Sequence, residues 1–268
     1  MESQGVSQED RISPPAGVAR EVELLRDAYL SLIEKCLTGL IYEDRALQVV
    51  GGGVYNASIR EVGRDWPSMA HTMIGVKRLA NLRTVCERVI QDEIPGDLIE
   101  TGVWRGGACI LMRAILSAYN VRNRRVWVAD SFEGVPAPDS LAYPADAKSD
   151  YHTFPDLEIP VETVRRNFEK YGLLDDQVVF LKGWFRDTLR SAPIERLAVL
   201  RLDGDLYEST MVALGALYDK VSTGGYVIVD DYHVVPGCKK AIQDFVSSRH
   251  LSPEIYEIDG VGVYWQKR

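Results

Sequence analysis

Hydrophobic positions along this chain change their period several times, and the changes mark its elements. From Arg20 onward Val22, Leu25, Tyr29, Leu32, Cys36 and Leu40 recur at helical spacing and form one apolar stripe, which predicts a helix. From Ile41 to Trp66, with Gly51, Gly52 and Gly53 in its middle, that pattern breaks, and the segment reads as a mobile loop or lid or as a plain connector. After Pro67, Ser68 is placed to cap a long helix whose buried face is Met69, Met73, Val76, Ala80, Val85, Cys86 and Val89 and which ends near Ile94-Pro95-Gly96. Short apolar runs then alternate with helical patterns. The expected strands are Asp97 to Thr101, Arg125 to Asp130, Gln177 to Leu181, Leu197 to Leu202 and Gly225 to Val229, with helices near 108–119, 161–171 and 207–221. A last helix, Lys239 to Arg249, leads to two apolar runs, Glu254 to Ile258 and Val261 to Trp265, joined by the hairpin signal Asp259-Gly260.

This alternation predicts an α/β fold: an open, doubly wound, mostly parallel sheet whose final strand runs antiparallel. No internal repeat and no second core is visible. A single domain is expected over 19–268, with 19–96 as an N-terminal helical cap or lid and 97–268 as the α/β core. Residues 1–18 are polar and proline-bearing and read as a disordered tail. The loop from Val135 to Pro160 holds Pro136, Pro138, Pro144, Pro155 and Pro160. It is too long for a mere connection, which suggests either a cover over the substrate or a disordered insertion.

Charge narrows the partners. With 31 basic against 39 acidic residues the net charge is -8, which argues against nucleic acid or an anionic membrane as the main partner but suits a small cationic ligand. Cys36, Cys86, Cys109 and Cys238 form no Cys-x-x-Cys pair, so reduced, packed thiols are the expectation. Neither a signal-peptide pattern nor a long apolar run is present, and a cytoplasmic protein is expected.

The chemistry gathers at the strand ends, where open α/β sheets bind ligands. The first strand ends in Glu100 and runs through Gly102, Gly106 and Gly107 into a helix. This spacing is not the dinucleotide Gly-x-Gly-x-x-Gly, and an acid at that place repels a pyrophosphate. A cationic ligand without phosphate, such as S-adenosylmethionine, fits better than a nicotinamide cofactor. Asp130, thirty residues on, is placed to accept from ribose hydroxyls or, more plainly, to cap a helix. Strands four and five end in Asp203-Gly-Asp205 and Asp230-Asp231. If these strands are neighbours, Asp203, Asp230 and Asp231 converge, and uncompensated carboxylates call for a shared proton, a cation side chain or a divalent metal. No lysine sits in either motif and only Arg201 is close. Oxygen-only ligands point to Mg2+ rather than zinc, and His71, His152, His233 and His250 are scattered. A divalent ion there can activate a substrate hydroxyl, with Asp205 as the general base. Ordinary strand-end acids forming turns are the plain alternative.

Several blocks taken together resemble the macrocin O-methyltransferase family: His71 to Gly75, Glu100 to Cys109, Trp127 to Phe132, Arg166 to Phe168 with Tyr171 to Asp176, Gly183-Trp184, Leu202 to Asp205 and Asp230 to Tyr232. The resemblance runs from about Leu24 to Trp265. It implies a Rossmann-like methyltransferase that uses S-adenosylmethionine and Mg2+ to methylate a deoxysugar hydroxyl of a glycosylated natural product. It also implies a homodimer or larger assembly. By the same resemblance, Thr72, Met73, Glu100, Thr101, Gly102, Val103, Trp104, Asp130, Ser131, Phe132, Gly134, Gly183 and Trp184 contact the cofactor, Asp203, Asp230 and Asp231 hold the metal, and Asp205 is the base, with Asp203 beside it in the catalytic set. The rivals are a catechol or phenol O-methyltransferase and a non-catalytic cofactor-binding module.

Overall fold

A computed structural model describes residues 16–268. The tail expected to be disordered therefore lies outside the described residues as far as residue 15, while its last three positions already belong to a helix, α1 (Ala16–Leu37). Two further helices, α2 (Ala57–Glu61) and α3 (Gly75–Gln91), precede the sheet. Then follow β1 (Asp97–Thr101), α4 (Gly107–Ala118), β2 (Val126–Asp130), α5 (Val161–Lys170), β3 (Val178–Lys182), α6 (Phe185–Thr188), β4 (Leu197–Leu202), α7 (Tyr207–Leu217), β5 (Val221–Val229), α8 (Pro236–Ser248), β6 (Tyr256–Glu257) and β7 (Val263–Gln266). Seven strands form one sheet in the order β3-β2-β1-β4-β5-β7-β6.

The first five strands are parallel, and β7 lies antiparallel between β5 and β6. β1, β2, β4 and β5 are buried on both faces, which is why they read as continuous apolar runs and not as alternating ones. One face of the sheet packs under α1, α3, α4 and α5 around Leu79, Leu82, Ile110 and Phe168. The other packs under α7 and α8 around Leu214, Leu217, Phe245 and Trp265. Parallel order brings the carboxyl ends of β1, β2, β4 and β5 to one edge of the sheet, and the order reverses between β1 and β4, where a crevice opens.

Two helices, α1 and α3, differ from expectation, and β5 starts at Val221, where the helix after β4 was expected to run on. The stripe anticipated on α1 lies on its outer side, with Leu25 70% exposed and Leu32 53% exposed, while Leu30, Ile33 and Leu37 make the buried face. α3 starts at Gly75, not behind Ser68. Asp44 is the reason: it accepts from Ser68 Oγ at 2.6 Å, Met69 N at 2.8 Å and Ala70 N at 2.7 Å, so these donors are used up outside a helix. Met69 is accordingly exposed, and Ala80 also lies off the buried face. Segment 41–66 is pinned. Arg60 is fully buried, forks onto Asp65, and donates to the carbonyls of Thr38 and Asp44 at 2.7 and 2.8 Å. The 135–160 loop is ordered through three single turns of 3-10 helix.

Candidate active site

The turn after β1 is built to bring backbone close to backbone. Gly102 has φ +89, and a Cβ there would lie 1.9 Å from the Asp203 carbonyl oxygen, so only glycine lets the β1 and β4 loops meet. Trp104 follows in a left-handed conformation, with φ 47, and its Nε1 donates to the Asp156 carbonyl at 2.9 Å. This hydrogen bond fastens the turn to the 135–160 loop. Asp130, at the tip of β2, accepts from Val103 N and from Phe132 N, both at 2.7 Å. Burial pushes its pKa up, and these amide donors oppose the shift.

A cavity of about 450 Å³ opens over these loops, a usual size for a small-molecule site. Thr72, Met73, Glu100, Gly102, Val103, Trp104, Asp130, Ser131, Gly134, Trp184, Asp203, Asp205, Asp230 and Asp231 all line it. Thr101, Phe132 and Gly183 stand behind the wall. Thr101 Oγ1 donates to the Arg201 carbonyl at 3.3 Å, since alternate side chains of a strand face opposite ways. Phe132 is buried against Phe180, and Gly183 N donates to the Asp130 carbonyl at 2.9 Å. Residues not anticipated complete the wall: Val50, Arg64 and Trp66 from the pinned segment, Tyr151 and Leu157 from the long loop, Phe185 from α6, and Arg78 from α3. His71 and His233 do not line it. His71 Nδ1 instead faces the Tyr171 hydroxyl at 2.8 Å, and His233 meets Glu257.

At the floor, carboxylate oxygens of Asp203, Asp230 and Asp231 lie within 4.8 Å of one another. The charge is partly met. Arg201 Nη1 donates to Glu100 at 2.5 Å and to Asp203 at 2.6 Å, and its Nη2 donates to Asp230. Arg78 donates to the other oxygen of Asp230. Arg78 could have been noticed in the sequence, because it shares the buried row of its helix with Leu82, Val85 and Val89 at spacings of four, three and four. The two arginines stand among five acids, Glu100, Asp203, Asp205, Asp230 and Asp231, and Arg78 also pairs with Asp259, so carboxyl groups outnumber their counter-charges. Asp231 Oδ2 is buried with no hydrogen-bond partner. Burial and neighbouring carboxylates push Asp203 up to about 6 and Asp205 up to about 8, and push Asp231 well up. Glu100 rises to about 8, chiefly through burial, against the pull of Arg201. Asp205 also holds a left-handed backbone, with φ 57, a conformation that among residues other than glycine is favoured by asparagine and aspartate. An oxygen-only cluster with an unpaired buried acceptor and more carboxyl groups than counter-charges has the donor set of a hard divalent cation.

Among the described residues no helix is long and apolar enough to cross a membrane. The model of the macrocin-O-methyltransferase (TylF) family matches residues 26–267. Over 260 residues the chain is 52% identical to the demethyldecarbamoylnovobiocin O-methyltransferase of Streptomyces niveus, covering 96% of this chain and 99% of that protein. It is 54% identical over 243 residues to the 8-demethyl-8-(2,3-dimethoxy-alpha-L-rhamnosyl)-tetracenomycin-C 4'-O-methyltransferase of Streptomyces olivaceus, covering 90% and 93%. The solved structure of the O-methyltransferase NovP superposes with a TM-score of 0.87 at 54% identity, over 90% of this chain and 99% of that one. With matches of this extent, the chain belongs to the macrocin-O-methyltransferase family and is an enzyme of O-methyl transfer.

Proposed function

We propose that this enzyme transfers the methyl group of S-adenosylmethionine to a sugar hydroxyl of a glycosylated natural product, using Mg2+ at Asp203, Asp230 and Asp231. The observation that carries the reading is the convergence of those three carboxylates on the floor of the same cavity that the Gly102 turn and Asp130 line. The relatives support the acceptor class, since by their names they act on a novobiocin intermediate and a rhamnosyl tetracenomycin.

S-adenosylmethionine supplies the methyl group as a sulfonium, and Mg2+ supplies Lewis acidity that makes the acceptor hydroxyl easier to deprotonate. The rest falls to the chain. Asp130 and Ser131 stand where ribose hydroxyls are held, and Asp130 keeps acceptor capacity beyond its two amide donors. Asp205 accepts the hydroxyl proton on a carboxylate oxygen, and a base that titrates near neutrality suits that task. Trp66, Tyr151 and Phe185 shield the acceptor side from water and offer flat faces to a sugar or its aglycone. Alignment of the two reactants accounts for most of the acceleration in such an in-line displacement.

A homo-oligomer belongs to the same reading. Val18, Val22, Leu25, Tyr29 and Leu32 form an exposed apolar row on α1, at spacings that suit a helix-helix seam. Sedimentation should give a dimer or larger. A monomer at assay concentration would remove this part alone.

The test offers glycosylated macrolides, aminocoumarins and simple catechols, with methylated product followed by mass. Sugar methylation that stops in excess chelator and returns with Mg2+ is the expected result. Full activity in chelator overturns the cation, preference for catechols overturns the acceptor, and NADH binding without S-adenosylmethionine binding overturns the cofactor.

A further inference from the structure

Three separate parts of the chain meet at Arg78. Its side chain is 6% exposed. Nη1 donates to Asp230 at the tip of β5, and Nε donates to Asp259 in the β6–β7 turn at 3.1 Å. Nη2 donates to the carbonyls of Gly63 at 3.0 Å and Val62 at 3.4 Å, on the wall that the 41–66 segment contributes to the cavity. The fit is close. Gly63 has φ +59, and a Cβ there would come within 2.4 Å of the guanidinium and of the Ile74 carbonyl, so the 62–63 backbone rests directly on Arg78 and the start of α3. The Asp259 side chain is fully buried and also accepts from Val261 N and Gly262 N, which fixes the turn from which it reaches Arg78.

We propose that Arg78 is a positioning residue for the transfer. It holds Asp230 in the orientation the cation requires and, with the same guanidinium, holds the 62–63 wall against the strand tips. Cation binding and the closeness of that wall are thereby coupled, and the coupling is reciprocal. This inference rests on the cation reading above. A planar fork with five donors can serve Asp230, Asp259 and two carbonyls at once, and an ammonium cannot.

Arg78→Lys keeps the charge and loses the fork, so it separates geometry from electrostatics. Mn2+ is the probe, titrated and followed by the paramagnetic resonance of the free ion. The expected loss of Mn2+ affinity is about tenfold or more, the usual effect of removing a residue that orients a metal ligand. S-adenosylmethionine affinity, measured by calorimetry, should be unchanged, because Asp130 and the Gly102 turn are untouched. Amide exchange over residues 59–64 should slow when Mn2+ binds the parent protein, and this response should vanish in Arg78→Lys. Asp259→Asn removes only the hairpin anchor while keeping Arg78 and Asp230, and should weaken Mn2+ binding and the exchange response in the same direction. It carries the test should Arg78→Lys fail to fold. A folded variant with a lower melting temperature but the parent's Mn2+ affinity and exchange response overturns the proposal and leaves Arg78 an ordinary buried ion pair. A parent protein that binds no Mn2+ overturns the cation reading, and this coupling with it.

Discussion

At the scale of the residue, the cavity gathers acids whose surroundings differ. Among the described residues two backbone amides donate to Asp130 and none donates to the Asp205 side chain, although both are carboxylates over one cavity. Asp130→Ala should lower S-adenosylmethionine affinity by about ten- to a hundredfold, the worth of a hydrogen bond to a charged acceptor, as calorimetry would read it. Part of that loss comes from the Val103 and Phe132 amides, which lose their acceptor. Unchanged affinity would return Asp130 to a turn residue. Asp205→Asn keeps shape and removes the proton acceptor, so kcat should fall by a factor of about a hundred or more while Mn2+ affinity changes little. A variant with parental kcat would take the base role from Asp205. The acids themselves were legible in the sequence, because each follows an apolar run that ends where a sheet binds its ligands. Their counter-charge was legible only in part. Arg201 lies two positions from Asp203, whereas Arg78 is separated from Asp230 by 152 residues and from Asp259 by 181, a distance that no local pattern reports.

At the scale of the element, the buried strands could be placed to within a few residues from their apolar runs, since a parallel strand covered on both faces leaves no other pattern. The helical cap was less readable, for two physical reasons. α1 carries two apolar rows with the same period, and periodicity alone does not say which one the core takes. The start of α3 is decided by Asp44, an acceptor more than twenty positions away that draws off the donors of Ser68, Met69 and Ala70. A similar long-range contact joins the 135–160 loop to α7. That helix has no side-chain cap at Leu206. Instead, buried Asp146 accepts from Tyr207 N at 2.7 Å and from Glu208 N at 3.0 Å, so a carboxylate from the loop caps the helix and meets its dipole. Asp146→Ala should cost about 1–2 kcal/mol in denaturant unfolding, the range for a lost cap. It should also raise the acceptor KM, because Tyr151 and Leu157 lie on the same loop. Loss of stability with unchanged KM would mean that the cap serves the helix and not the cavity wall.

At the scale of the whole molecule, two sets of buried groups pull the pH dependence of stability in opposite directions. Burial, with Lys170 and Arg105 nearby, lowers His71 from 6.5 to about 4. The folded state therefore binds fewer protons than the unfolded one between these values, and stability is lost as pH falls from 6.5 toward 4 and is intact above 6.5. The strand-tip carboxylates act the other way. Asp203 at about 6, and Asp205 and Glu100 at about 8, bind more protons folded than unfolded, so the cation-free protein loses stability as pH rises from their ordinary values toward 8. Above 6.5 only this second effect remains. A divalent cation at Asp203, Asp230 and Asp231, as proposed, would offset the repulsion behind it and, by binding only the folded state, would add mass-action stability. The rise in melting temperature on adding Mg2+ to chelator-treated protein should thus be larger near pH 8 than near pH 6.5, with the chelated protein less stable at the higher pH. Calorimetry at both values measures it. An equal rise at both, or a chelated protein more stable near pH 8, would mean that the acids at the strand tips do not carry the excess charge that calls for a metal.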